Sequence, residues 1–231
     1  MIPLFIGHDP REGIGTHVFL ESLLRRSTLP VTVCFLHKPM LRRAFGHDVQ
    51  EGTNAFTVSR FLIPYLMQWR GRAIFMDGAD MLLRADLSEL WEQFNAYTAV
   101  QVVQHDYESR HPRKYVGTPM EAENEHYTRK NWASLMLINC DHYAWRKLTP
   151  TYVESASKLD LLTFSWLTDH LIGELPVTWN WLVDEYGPNE RAKLLHWTAG
   201  VPAFENYRDA PHASEWLEMR ANVDYGTSPP S

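Results

Sequence analysis

Residues 72–80 read Arg72-Ala73-Ile74-Phe75-Met76-Asp77-Gly78-Ala79-Asp80: a short apolar strand at 73–76 that runs at once into two carboxylates. Hard divalent cations such as Mg²⁺ and Mn²⁺ take oxygen ligands, commonly one or two carboxylates together with the phosphate oxygens of a substrate. On a continuing strand, positions 77 and 79 would share a face and positions 77 and 80 would oppose each other. Asp77 and Asp80 therefore meet at one ion only if the chain turns between them. Gly78 permits that turn, because glycine reaches positive φ without steric cost. An Asp-Gly pair is also a strong turn signal with no ligand involved, so the two readings are separated by what else the chain brings to the end of this strand.

Outward from this segment, strand-like and helix-like runs alternate. Residues 2–6, 31–36, 73–76 and 99–104 are short apolar strands, and 133–139 and 194–197 are two more. Helical spacing of apolar residues places helices at 18–26, with Thr16 as N-cap, and at 57–69, where Pro64 is expected to kink the helix. Further helices are expected at 87–94 and 149–157, with 161–171 mixed and a Trp-rich segment at 179–182. Alternation of this kind predicts an α/β fold with a mostly parallel sheet covered by helices. In such sheets ligands bind at the carboxyl ends of the strands. Residues 107–130 are polar and long for a loop, and read either as a lid over a site or as a surface insertion. The polar tail at 226–231 reads as a frayed end.

The chain has 231 residues, 45% of them hydrophobic, which suits one domain over 1–231 with halves at 1–105 and 106–231. No run approaches the ~20 apolar residues of a membrane span, and residues 1–6 lack a leader pattern, so a cytoplasmic location is expected. The net charge of −6 and the scattered Lys and Arg argue against a nucleic-acid partner. Cys34 and Cys140 each lie in an apolar run and read as buried, reduced thiols. Gly7, Gly13 and Gly15 do not form G-x-G-x-x-G, and neither a P-loop nor a G-x-S-x-G elbow is present, which argues against a dinucleotide oxidoreductase and these other nucleotide or hydrolase classes.

Six segments together resemble a known family. FMDGAD at 75–80 resembles the D-x-D motif of GT-A glycosyltransferases, in particular bacterial relatives of glycosyltransferase family 8. LFIGHDPRE at 4–12 is similar to that family's first strand and nucleotide-binding loop, and SRFLIPYL at 59–66 to the helix before the D-x-D strand. RKNWASLMLIN at 129–139, LTDHLIGELPVTWNWL at 167–182 and HWTAGVPAFENY at 196–207 resemble its later motifs in the correct order. The chain departs from the pattern in having D-x-x-D, in carrying Val201 and Pro202 where the family has a phosphate-contacting Lys, and in the register of Asn131.

The resemblance implies a Rossmann-like GT-A fold and a metal-dependent transfer of a sugar, with retention, from a nucleotide-diphosphate sugar (a UDP-sugar) to a glycan or other hydroxyl acceptor. A catalytically inactive nucleotide-sugar-binding protein on the same fold is the alternative. It implies that Asp77, Asp80 and His196 hold Mn²⁺ or Mg²⁺. Gly7, His8 and Asp9 would meet the nucleotide, and Arg60, Asp77 and Gly78 would lie along the diphosphate and sugar. Asn131 and Asp169 would stand beside the reacting sugar. The residue chemistry agrees with these roles. A divalent ion neutralises the charge that builds on a diphosphate leaving group, imidazole beside carboxylates favours Mn²⁺, and a guanidinium fork suits phosphate. Taken singly, His196 also fits a structural histidine, and Asp169 a solvated helix-surface carboxylate.

Overall fold

The computed structural model describes residues 1–45 and 56–225; the tail at 226–231 lies outside them. The chain opens with β1 (Ile2–Gly7), α1 (Gly13–Arg26), β2 (Val31–Leu36) and α2 (Lys38–Phe45). After the undescribed segment come α3 (Ile63–Leu66), β3 (Arg72–Met76), β4 (Met81–Leu83), α4 (Leu87–Trp91) and β5 (Val100–Val102). A small hairpin of β6 (Arg113–Lys114) and β7 (Ala122–Glu123) precedes β8 (Leu135–Asn139), α5 (Pro150–Ser155) and α6 (Lys158–Leu162). The chain then forms β9 (Ile172–Glu174), β10 (Trp181–Leu182), α7 (Val183–Tyr186), β11 (Leu194–His196) and α8 (Ala213–Tyr225).

Six strands form the main sheet in the order β2-β1-β3-β8-β5-β9. β1 runs parallel to β2 and β3, and β5 parallel to β9, while β8 alone runs against both its neighbours. The predicted α/β fold with a mostly parallel sheet is the observed one. Its central strands read as unbroken apolar runs because both faces are covered. Phe5, Phe75 and Met136 point into one core layer, and Leu4, Ile6, Ile74, Met76, Leu135 and Leu137 into the other. That is the period-two alternation of a strand, with both sides dry. A second sheet, β10-β11-β4, stands beside it, with β11 antiparallel to β4.

Several local expectations are corrected. Thr16 is not an N-cap: a 3₁₀ turn at Pro10–Glu12, capped by the Asp9 side chain, leads directly into α1 at Gly13 and leaves Thr16 buried inside the helix. The helix expected at 57–69 is a 3₁₀ turn at Ser59–Leu62 followed by the single α-turn of α3. Pro64 lies in the first turn of α3, where its missing N–H breaks no helical bond, so it starts a helix and kinks none. Cys140 is buried, as expected, but Cys34 is exposed. β2 is an edge strand, and its Val31 and Val33 pack toward the core while Cys34 takes the alternate face. Residues 107–130 are no loose insertion: they carry the β6–β7 hairpin and bury Tyr115, Met120 and Lys130. No helix among the described residues is long and apolar enough to cross a membrane.

Candidate functional site

The turn that the Asp-Gly pair requires is present. β3 ends at Met76, and the Asp77 N–H still donates to the Ser134 carbonyl at 3.0 Å. Gly78 then takes φ +81°, and the Ala79 and Met81 N–H groups close the turn on Asp77 and Gly78 at 3.0 and 3.1 Å. α1 packs directly on it. A Cβ at Gly15 would lie 1.9 Å from the Ala79 carbonyl oxygen, so only glycine fits at that point of the helix. On the other side the Trp197 N–H donates to the Asp80 carbonyl at 2.9 Å, and β11 places His196 opposite Met81.

These contacts bring Asp77, Asp80 and His196 together, each with a ligand atom within 4.8 Å of those of the other two. His196 is 2% exposed and Asp80 8%. The orientation of the imidazole follows from its neighbour Asn180. The Asn180 amide nitrogen donates to Ser134 Oγ at 2.8 Å, so its Oδ1, 2.9 Å from His196 Nδ1, accepts the proton on that nitrogen. Nε2 then faces Asp80 Oδ2 at 3.2 Å. A protonated Nε2 pairs with this carboxylate directly, and a deprotonated one offers a lone pair beside it that a cation can share. Asp80 Oδ1 is buried and has no hydrogen-bond partner. A buried carboxylate oxygen left unpaired is costly in a folded protein, and a metal ion meets that need with the oxygen and nitrogen donors that Mn²⁺ accepts. The three residues fit a divalent cation.

Arg60 lies behind this group. Its Nη1 is 2.7 Å from Asp77 Oδ1, its Nε donates to the Thr57 carbonyl at 2.9 Å, and its guanidinium stands 4.6 Å from the centre of the Phe75 ring. Burial pushes the Asp77 carboxyl up to about 6 even with Arg60 pulling it down. For Asp80 burial acts in the same direction, but the charge and hydrogen bond of His196 outweigh it and hold that carboxyl below its ordinary value. The two carboxylates are thus driven apart, the pattern found where one site must bind a cation or move a proton.

The trio opens into a cavity of about 680 Å³ that also meets Arg60, Lys114, Lys130 and Asn131. Asn131 has φ +63° and donates from its side chain to Tyr107 Oη at 2.7 Å. The other expected site residues lie elsewhere. Asp9 is buried, and its carboxylate is held by Arg11, whose backbone N–H, Nε and Nη2 donate at 3.0, 2.9 and 2.6 Å; it is Arg11 that reaches the cavity. Gly7 makes room for the Phe56 ring, which a Cβ would meet at 2.2 Å. His8 stands edge-on to Phe35 and His37. The Asp169 side chain is 85% exposed and pairs with Arg129 at 2.7 Å, and it does not line the cavity. Sequence alone does not single out Asn180, Gly15 or Lys114 as site residues, because their roles depend on contacts across the fold. Only the place of Asn180 in the Trp-rich segment offers a signal. A second group of possible ligands, Glu190, His212 and Glu215, is already engaged: Arg84 binds both carboxylates, and His212 Nε2 accepts from the Asn189 N–H at 2.9 Å.

No protein-family model matches the chain. Protein CDI of Arabidopsis thaliana is 35% identical over 222 residues, covering 93% of this chain and 84% of that protein. Among solved structures, the apo form of the bifunctional glycosyltransferase WbbM superposes with TM-score 0.67 at 16% identity over 96% of this chain. The glycosyltransferase GlyE of Streptococcus pneumoniae TIGR4 gives 0.60 at 14% over 95%. The galactosyltransferase LgtC, solved with donor and acceptor sugar analogs, gives 0.60 at 14% over 99%. This chain spans 50% of the WbbM chain, 60% of GlyE and 98% of LgtC. At these identities the likeness establishes the fold.

Proposed function

We propose, for a chain that belongs to the family of Protein CDI and has the fold of the GT-A glycosyltransferases, that it is a metal-dependent glycosyltransferase moving a sugar from a nucleotide-diphosphate sugar to a hydroxyl acceptor. The observation that carries this reading is the convergence of Asp77, Asp80 and His196 in the lining of the cavity, with Asp80 Oδ1 buried and unpaired. Mn²⁺ is the ion that the mixed carboxylate and imidazole donors favour. When bound, the ion supplies Lewis-acid stabilisation of the diphosphate leaving group. Arg60 orients Asp77 and keeps a positive charge beside it, and Asn180 fixes the His196 ring with Nε2 toward Asp80, from where it would bind the ion.

The first half of the chain, 1–105, contributes Arg11, Arg60 and the turn at Asp77–Asp80 to the cavity. In this proposal it binds the nucleotide, with Asp9 acting through Arg11 and the backbone of Gly7 and His8 beside the base. The half 106–231 contributes His196, Asn131 and the hairpin to the same cavity, and also takes the acceptor. UDP as the nucleotide and retention of configuration follow from the family resemblance.

One observation favours a second reading, a nucleotide-sugar-binding protein without transfer: Asp169, the carboxylate expected beside the anomeric carbon, faces solvent in an ion pair with Arg129. Incubation with Mn²⁺ and a panel of nucleotide sugars decides between them. Release of nucleoside diphosphate, accelerated by an acceptor, supports transfer. Saturable binding with no release for any sugar or acceptor supports the second reading.

A further inference from the structure

Resting on the reading of this cavity as a nucleotide-sugar site, we infer that Lys114, carried by the β6–β7 hairpin, is a diphosphate-binding residue that makes this hairpin part of the donor site.

The argument begins with partners. Four other Lys and Arg side chains line the cavity, and each already has one: Arg11 holds Asp9, Arg60 holds Asp77, Lys130 Nζ donates to Asn124 Oδ1 at 2.7 Å, and Lys158 lies 3.8 Å from Glu125. Lys114 lines the same cavity, and among the described residues no hydrogen bond or ion pair holds its ammonium. Burial lowers its pKa, against the pull of Asp80, Asp77, Asp184 and Glu12, so these carboxylates lie within electrostatic reach without docking on it. An ammonium kept partly out of water with no partner is placed to meet an anion that arrives later.

The hairpin is also fixed in position. Next to Lys114, Tyr115 is buried at φ +54°, and its N–H donates to the Ala199 carbonyl at 2.7 Å, three residues beyond His196. The Val116 N–H donates to Tyr207 Oη at 2.9 Å, and Asn206 donates back to the Val116 carbonyl at 2.9 Å. Lys114 is therefore tied to the segment that follows the histidine ligand, and its backbone does not have to be ordered when a ligand binds.

Charge supplies the last step. A divalent ion held by the trio would offset the charges of Asp77 and Asp80, and Arg60 and Lys114 would then add two positive charges for a diphosphate, against the weaker pull of Asp184 and Glu12 on Lys114. Lys114 contributes to that charge from the hairpin side of the cavity, while the trio contributes from the strand ends.

The test is calorimetry on the full chain with Lys114→Met and Lys114→Arg, titrating Mn²⁺ alone and then UDP in saturating Mn²⁺. Loss of one charge-assisted contact is expected to weaken UDP by about tenfold to a hundredfold in Lys114→Met. Mn²⁺ alone is expected to bind that variant as tightly as wild type or more tightly, because a neighbouring cation is gone, and Lys114→Arg is expected to restore most of the UDP affinity. A residue that only offsets the acidic cluster would give tighter Mn²⁺ with UDP affinity within twofold of wild type, and that result overturns the inference. So does a parallel loss of Mn²⁺ and UDP, which would mark damage to the fold. Absence of UDP binding to wild type with any divalent metal would instead remove the nucleotide-sugar reading on which the inference rests.

Discussion

At the scale of single residues, the site depends on how each side chain around the proposed ion is held. Asn180 accepts from His196 Nδ1 and is itself fixed by Ser134. Removing such a partner of a metal ligand commonly costs about tenfold to a hundredfold in metal affinity. Asn180→Ala is therefore expected to weaken Mn²⁺ binding by that range in a calorimetric titration, and an unchanged affinity would show that His196 needs no orienting bond. Asp77 gives a pH signature. Its carboxyl is raised to about 6 in the folded, metal-free protein, whereas an unfolded Asp titrates near ~3.9. Between those values the folded state binds more protons than the unfolded one, so stability without metal falls as pH rises through the window. The added stability from Mn²⁺ changes the opposite way, because the ion needs the ionised carboxylate. The Mn²⁺-induced shift in melting temperature is expected to grow as pH rises through about 6 and to be smaller and less steep with pH in Asp77→Asn. A shift independent of pH in wild type would show that Asp77 does not bind the ion.

At the scale of elements, the site is a junction. The turn after β3 is gripped by α1 on one side and β11 on the other, and its shape requires glycine twice. Gly78 sits at φ +81°, and a Cβ there would lie 3.3 Å from the Ile6 side chain, while Gly15 leaves no room at all beside the Ala79 carbonyl. A side chain at Gly15 must separate α1 from the turn. Gly15→Ala is expected to cost about 1–3 kcal/mol of stability, read by urea unfolding, and to weaken Mn²⁺ binding with it. Full stability with full metal affinity would show that α1 can move away without disturbing Asp77 and Asp80. The two elements that differ from expectation have local causes. Pro64 sits where a helix begins, so the apolar periodicity across 57–69 belongs to a 3₁₀ turn and a separate α-turn. The stretch 107–130 is polar because much of it borders a cavity and still makes a hairpin, and charge content does not distinguish these from a loose loop.

At the scale of the whole molecule, the sheet was legible in the sequence because its inner strands are apolar on both faces, and the order of segments carried the GT-A resemblance. The convergence of Asp77, Asp80 and His196 was legible in part from the same runs: Asp77 follows directly on β3, Asp80 stands just before β4, and His196 ends β11. What sequence order did not reveal was set by long-range packing. Asp9 is taken by Arg11, Asp169 lies on an exposed turn with Arg129, and Lys114 lines the same cavity as the trio from a hairpin 34 positions beyond Asp80 in the numbering. The central claim is that one divalent ion, held by Asp77, Asp80 and His196, joins this fold to a nucleoside diphosphate. The direct measurement is calorimetric titration of UDP into wild type and Asp80→Ala, each with and without Mn²⁺. The account predicts binding to wild type that requires Mn²⁺ and is abolished in an Asp80→Ala protein that melts normally. UDP affinity that is the same without Mn²⁺, or unchanged in Asp80→Ala, would contradict it.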